Sequence, residues 1–393
     1  MAALPKVTLP ERLETNLFGG HAWIYREHVP AGFSAPHGSF VRVRCGRFDG
    51  FALWDQESAL ALRIYSRSEL PSSAWYERRL REAWQLRAPL LDQGTNAFRW
   101  VHGEADGLPG IVIDYYAGHA VMICDGTACE VIGPDVAACV NKVQATLSVL
   151  QRRRHGSAET GEEKLQVLYG SAPAESLIVE ENGLKMRTDL RSGQKTGLFL
   201  DQRENRAYIG ELSAGRRVLN LFSYSGAFSL YALRGGAKHA IDVDSAPLAA
   251  EDARENLRLN GIDPSRHTFV VGDVFEYLEA ERTKKQSYDL VICDPPTFGR
   301  SKVHLDKALN AYARVNAAGM KVCAEGGLYA AASCTARVTP SAFKQALADA
   351  ARRAQRRLQL IQERGQALDH PELISHPESR YLKFVLGRSL ARI

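Results

Sequence analysis

From about Ser192 onward, apolar runs alternate with amphipathic stretches. Val218–Phe222, His239–Val243, Thr268–Val271, Asp289–Cys293 and Leu328–Ala332 are short, apolar and bounded by turn residues, the pattern of strands buried on both faces. Helical spacing occupies the intervals, near Ala227–Arg234, Pro247–Asn260, Val274–Glu281, Asp306–Cys323 and Ser341–Ala354. This alternation predicts an α/β fold: a doubly wound parallel sheet with helices on both faces. Leu358–Glu363 and Tyr381–Leu386 are expected to add two strands, including an antiparallel pair.

The texture before Ser192 differs. Up to about Arg67, runs such as Phe40–Arg44 and Ala59–Tyr65 alternate around Gly/Asp turns and suggest a small β-barrel-like module. A helix is expected from Ser72 to Arg87. Phe98–Cys124 reads as strands broken at Ala105–Gly110 and Ala117-Gly118, and Val131–Leu150 has helical spacing. Strands follow at Leu165–Tyr169, Ser176–Glu180 and Leu184–Thr188, with Asn182-Gly183 as a hairpin turn. The middle region is therefore expected to be strand-strand-helix-strand-strand, with Arg152–Glu163 as a polar loop. The predicted domains are 1–71, 72–190 and 191–393.

At 393 residues the chain exceeds one ordinary core. Its 45% hydrophobic and 24% charged residues fit a soluble globular protein. A net charge of +5 is compatible with a polyanionic partner and proves none. The arginine clusters at 78–81, 152–154 and 352–357 read most simply as solvated faces. Met1–Glu14 lacks the pattern of a signal peptide, and no stretch reaches the length of a membrane span. Seven cysteines without zinc spacing point to no metal site and to a reducing cytoplasm. Cys45, Cys124, Cys129, Cys139, Cys293 and Cys323 read as small buried residues.

Chemistry enters at strand ends. Asp294-Pro295-Pro296-Thr297-Phe298 and Ser333-Cys334-Thr335 each follow an apolar run, so both should lie at the carboxyl edge of the sheet, where open α/β sheets bind ligands. A carboxylate, a stiff Pro-Pro turn and a thiol suit covalent chemistry on a flat heterocycle, with sulfur as nucleophile. Phe222-Ser223-Tyr224-Ser225-Gly226 holds a single glycine, which disfavours a dinucleotide oxidoreductase. Of Asp242 and Asp244, the latter stands nearer its strand tip and suits a ribose. Asp273, between Gly272 and Val274, suits an adenine amine. An isolated acid of this kind is more often a helix cap, but in register on consecutive strands the set describes S-adenosylmethionine.

Here the sequence resembles a known family. Gly193–Arg203, Leu219–Gly226, Asp294–Phe298, Ser333-Cys334, Asp369-His370-Pro371 and Tyr381-Leu382-Lys383 are similar to motifs of the bacterial large-subunit ribosomal RNA cytosine-5 methyltransferases with an N-terminal PUA domain. Gly103–Gly110 and His21–Tyr25 resemble that family's central and opening segments. The resemblance implies a PUA domain, a small α+β domain and a class I methyltransferase domain. It implies cofactor contacts from Lys195, Thr196, Asp201, Phe222 to Gly226, Asp244 with Ser245, Gly272 to Val274, and Asp294. Cys334 and Asp294 would be catalytic, and Pro295, Pro296, Phe298 and Lys302 would meet the base or its backbone. The partner implied is 23S ribosomal RNA in a single-stranded or locally opened region. No membrane is implied, and the oligomeric state stays open, a homodimer included.

Cytosine C5 is too weak a nucleophile to take a sulfonium methyl unaided, and a thiolate added at C6 makes it enamine-like. Another group of cytosine methyltransferases has a second cysteine where Thr297 stands, and no task for Thr297 is evident. The run through Ser301-Lys302 also resembles a sibling group that methylates guanine N7, which needs no thiol. A non-catalytic RNA-binding assembly factor is the remaining alternative. Arg42, Arg44, Arg63, Arg300 and Lys302 are the candidate phosphate contacts.

Overall fold

The computed structural model describes residues 4–153, 165–191, 196–298 and 305–392. The chain divides into two units: 1–183 with 188–200 and 369–379, and 184–187 with 201–368 and 380–393.

The first unit opens with β1 (Lys6–Thr8), α1 (Glu14–Phe18), β2 (Trp23–Tyr25), β3 (Phe40–Cys45), β4 (Phe48–Trp54) and β5 (Leu60–Ser66). Its sheet runs β1-β3-β4-β5-β2, with β1 parallel to β3 and the other pairs antiparallel. Strict alternation builds it: Val41, Val43 and Cys45 are fully buried while Arg42 and Arg44 face out. Both arginines meet Asp49, Arg42 through two bonds of 2.8 and 3.2 Å. Arg63 corrects the expectation of an outward face. Its β5 neighbours Ala61 and Leu62 are buried on both sides, Arg63 itself is 3% exposed, and its guanidinium pairs with Asp125 at 3.1 Å.

Helix α2 (Ser73–Arg87) starts where the Ser72 hydroxyl accepts from Trp75 N, and α3 (Pro89–Asp92) follows. Then come β6 (Ala97–His102), β7 (Ile111–Tyr116), β8 (His119–Cys124), α4 (Thr127–Val143), β9 (Ser148–Arg152) and β10 (Leu165–Gly170), in the order β10-β9-β8-β7-β6. Trp75, Leu80, Trp100, Met122, Val136 and Val140 form the core between helices and sheet. Three strands precede α4, with β7 and β8 meeting at the turn expected at Ala117-Gly118, so the order strand-strand-helix-strand-strand is one strand short before the helix. The helix expected to reach Leu150 ends at Val143, and Ser148–Leu150 instead pair as a buried strand. Most of the expected loop after Arg152 lies outside the described residues. β11 (Leu177–Glu181) and β12 (Leu184–Thr188) form a separate two-stranded sheet around Asn182-Gly183, both in the left-handed region as a hairpin turn of this sequence requires.

The second unit holds α5 (Arg203–Glu211), β13 (Arg217–Leu221), α6 (Ala227–Arg234), β14 (His239–Asp244), α7 (Pro247–Leu259), β15 (His267–Val271), α8 (Val274–Thr283), β16 (Tyr288–Cys293), α9 (Leu305–Val322), β17 (Cys323–Ser333), α10 (Pro340–Arg353), β18 (Arg356–Arg364) and β19 (Lys383–Ala391). The sheet order is β15-β14-β13-β16-β17-β19-β18. Its first five strands are parallel, and β19 is antiparallel to both neighbours. The expected α/β class and the antiparallel tail are both present. After β13 the chain builds outward to β15, then returns to place β16 on β13's other side. The crevice beyond the carboxyl ends of β13 and β16 is thus a topological switch point, where such sheets bind ligands. No helix among the described residues is long and apolar enough to cross a membrane.

Candidate active site

The loop leaving β13 has an unusual backbone. Phe222 (φ 58°), Tyr224 (φ 48°) and Gly226 (φ 72°) all adopt the left-handed region, which costs non-glycine residues about 1–3 kcal/mol and concentrates at ligand clamps. Asp244 holds this shape: Oδ2 accepts from Tyr224 N at 2.9 Å and Oδ1 from Ala246 N at 3.0 Å. Beneath the loop, fully buried Asp242 accepts from Asn220 Nδ2 (2.8 Å) and Ser229 Oγ (2.6 Å) and pairs with His267 Nε2 (2.7 Å). Asp242 therefore supports the loop from below, and Asp244 is the acid at the tip. Ser223 Oγ and Ser225 Oγ are buried without a hydrogen-bond partner among the described residues. Such orphaned hydroxyls need an explanation, and a ligand is one.

Ser245 is exposed beside Asp244. Gly272 N donates to Asp244 O at 3.0 Å, joining the β14 and β15 tips. Asp273 caps α8, its Oδ1 accepting from Phe275 N (2.8 Å) and Glu276 N (3.0 Å), while Val274 turns into the core. The capping expected of an isolated strand-end acid is thus present at Asp273.

At the end of β16, Gln202 Nε2 donates to Asp294 Oδ2 at 2.8 Å. Gln202 is itself oriented, since Asn205 Nδ2 donates to its Oε1 at 2.7 Å and Arg364 Nε donates to Asn205 Oδ1 at 3.2 Å. Next to Gln202, Asp201 accepts from the Tyr381 hydroxyl at 2.7 Å. Pro295 is buried and Pro296 exposed. Phe298 packs edge-on against Tyr312 with centroids 5.0 Å apart, and the Tyr312 hydroxyl bonds Thr335 Oγ1 at 2.7 Å. Between these anchors, Thr297 Oγ1 lies 3.2 Å from Cys334 Sγ. The Asp294 turn and the Cys334 turn therefore meet.

Of the seven cysteines, all described, Cys334 alone is not buried. Cys293 is enclosed, and burial pushes its thiol up to about 12, so it serves packing as expected. Lys383 Nζ donates to Thr335 O (2.6 Å) and Tyr381 O (2.8 Å), and burial brings its ammonium down to about 8.

Lys195 and Lys302, with Arg300, lie outside the described residues. Thr196 belongs to the first unit, where its buried hydroxyl donates to Asp114 (2.6 Å) and receives from Tyr116 (2.8 Å). Asp369 is in the same unit, accepting from Arg99 N at 2.7 Å and, through its carbonyl, from Arg87 at 2.9 Å. Three metal-capable side chains, His21, His376 and Glu378, also meet there, with each imidazole 3.6 Å from the carboxylate. Gln202, Asn205, Thr297 and Lys383 carry geometry that no sequence reading assigned to them. Gln202, Thr297 and Lys383 lie within the motifs that carry the family resemblance, which was the available signal; Asn205 lies outside them.

A family model described as S-adenosylmethionine-dependent methyltransferase matches residues 137–375. The chain is 34% identical over 384 residues to the ribosomal RNA large subunit methyltransferase I of Aeromonas salmonicida, covering 96% of this chain and 97% of that protein. It is 36% identical over 395 residues to the ribosomal RNA large subunit methyltransferase of Deinococcus radiodurans, covering 97% and 96%. Among solved structures it is similar to SMU.776, a putative methyltransferase complexed with SAH, at 24% identity and a TM-score of 0.86 over 98% of this chain and all of that one. That last likeness speaks to the fold alone. An acid at the β14 tip and two unsatisfied hydroxyls in the β13 loop fit the ribose and amino-acid polar groups of S-adenosylmethionine.

Proposed function

The chain belongs to the ribosomal RNA large subunit methyltransferase I family of S-adenosylmethionine-dependent methyltransferases, and from that premise we propose that it methylates C5 of a cytosine in 23S ribosomal RNA through a transient bond between Cys334 Sγ and C6. One observation carries this reading: the single cysteine that is not buried stands hydrogen-bonded to the turn bearing Asp294, at the carboxyl edge of the sheet.

Ser223, Ser225, Asp244 and the Gly272–Val274 turn would hold the cofactor, which supplies an electrophilic methyl carbon. Asp294, fixed by Gln202, would share a proton at the N3 side of the base and so ease addition at C6. The Cys334 thiolate would form the S–C6 bond and leave again once C5 has lost its proton. Pro295 and Pro296 stiffen the turn, and Phe298 is braced by Tyr312. The base would be reached in a single-stranded or opened region, since base edges in an intact A-form helix are hard to read. The domains are assigned as a PUA-like module, a small α+β domain and the methyltransferase domain. Seven free thiols suit a reducing compartment, and the cytoplasm is the location proposed.

The test is transfer from labelled cofactor to unmodified large-subunit RNA, followed by digestion to nucleosides. The reading expects label in 5-methylcytosine, and none with Cys334→Ala. Label in 7-methylguanine that survives Cys334→Ala would replace it with the guanine N7 reading. Absence of any transfer would favour an assembly factor.

A further inference from the structure

We propose that Lys383 is a positioning residue for the nucleophile: its side-chain nitrogen, clamped beside the end of β17, stabilises the Cys334 thiolate as an ammonium. The use of that thiolate on cytosine rests on the function proposed above, whereas its formation does not.

The placement follows from sheet register. β17 and β19 are antiparallel, and the ladder ends at the pair Ser333 and Lys383, immediately before Cys334. The Lys383 side chain is 4% exposed, with Nζ held by the carbonyls of Thr335 and Tyr381 on either side of the strand end. Two of the three donors an ammonium offers are thus engaged by neutral oxygens. No carboxylate lies within ion-pair distance of Nζ among the described residues, which is unusual because buried charges are normally paired. The groups facing this corner are few. Tyr381 turns its hydroxyl to Asp201, Tyr312 bonds Thr335, and among the described residues Cys334 is the one ionisable group that favours the charged amine.

Burial brings the ammonium down to about 8, which leaves it mostly charged at neutral pH, and a negative sulfur favours that charged form. The thiol gives its proton to solvent as the S–H bond breaks, and the nearby ammonium lowers the cost of the negative sulfur that remains. The sulfur lone pair then makes the bond to C6. When that bond breaks, the electrons return to sulfur, which can take up a proton from solvent again. Thr297 Oγ1 supplies a hydrogen bond but no positive charge. Lys383 answers the need for activation of a thiol that is otherwise mostly protonated at neutral pH.

The test is alkylation of Cys334 by iodoacetamide in the folded full-length chain, read by peptide mass spectrometry as a function of pH. The six other cysteines are buried and report any unfolding. The wild-type rate should reach half its plateau at least about one pH unit below an ordinary thiol near 8.5. Lys383→Met should move that midpoint up by about one unit or more, and so slow alkylation near neutrality about tenfold. Lys383→Arg, which keeps a fixed charge, should retain the low midpoint. An ordinary midpoint in the wild-type chain overturns the proposal even if Lys383→Met fails to fold, and so does a midpoint unmoved by a folded Lys383→Met. A low midpoint in a chain that makes no 5-methylcytosine would sink the function proposed above and spare this one. An ordinary midpoint in an active cytosine methyltransferase would do the reverse.

Discussion

Thr297 Oγ1 and Cys334 Sγ lie 3.2 Å apart, though they belong to turns at the ends of different strands. β16 and β17 are parallel neighbours, so their C-terminal residues necessarily emerge side by side. The hydroxyl gives Thr297 a chemical task that its sequence position alone did not suggest. On the proposed mechanism it would stabilise the thiolate form when it donates and orient the thiol when it accepts.

Replacing Thr297 with Val keeps the shape and removes the hydrogen bond. Such a bond to a charged partner contributes about 1.5–3 kcal/mol, so methyl transfer should fall roughly tenfold to a hundredfold. Thr297→Ser should recover most of the loss. The measurement is kcat with labelled cofactor and saturating RNA, and an unchanged kcat in the Val variant would remove Thr297 from the site.

Gln202→Leu tests the support of the carboxylate. Gln202 Nε2 is 2.8 Å from Asp294 Oδ2 and is itself held by Asn205. Leucine conserves bulk but leaves Asp294 without this donor, and a misdirected catalytic group can cost about a hundredfold. Transfer should fall by about tenfold to a hundredfold with cofactor affinity little changed, read as a kcat loss against a calorimetric Kd. Equal loss in both would mean that Gln202 shapes the cofactor pocket instead.

Gly226→Ala should damage both stability and cofactor binding. The position has φ +72°, and a Cβ there would sit 2.5 Å from Asp242 Oδ2 and 3.1 Å from Ala253 Cβ. Asp242 cannot yield, because Asn220, Ser229 and His267 all hold it. The left-handed backbone alone costs a β-carbon about 1–2 kcal/mol, so a loss of at least about 2 kcal/mol is expected in denaturant unfolding. Native stability with intact binding of S-adenosylhomocysteine would show that the loop accommodates the methyl group.

What could be read in advance followed solvent exclusion. The strands of the second unit are apolar throughout because helices cover both faces, so their ends, and with them Asp244, Asp294 and Cys334, could be placed from sequence. α5 escaped notice because its buried positions include Arg203, Asn205 and Arg206, and polar residues satisfied internally leave no hydrophobic period. Arg63 misled for the same reason: one β5 arginine is buried in an ion pair, whereas Arg42 and Arg44 on β3 face out. Lys383 stood in the family-like run Tyr381-Leu382-Lys383 but carried no assigned role. Its significance depends on the β17–β19 register, which joins segments about fifty residues apart.

The buried Lys383 also predicts how stability depends on pH. Its folded-state value is about 8 against an ordinary 10.5, so between these two values the unfolded chain binds more protons. A lysine lowered in this way costs stability below about pH 8, and the cost disappears as pH rises through 10.5. In a Cys334→Ala background, which removes the sulfur that favours the charged amine, Lys383→Met should therefore show a deficit relative to its parent that grows from pH 7 to pH 10. The growth should be at most about 4 kcal/mol, since the window spans three units and each corresponds to about 1.36 kcal/mol. The two carbonyls left without a donor add a deficit that does not vary with pH. Urea unfolding at several pH values separates the two parts. A pH-independent difference would mean that Lys383 stays protonated in the folded chain throughout this range.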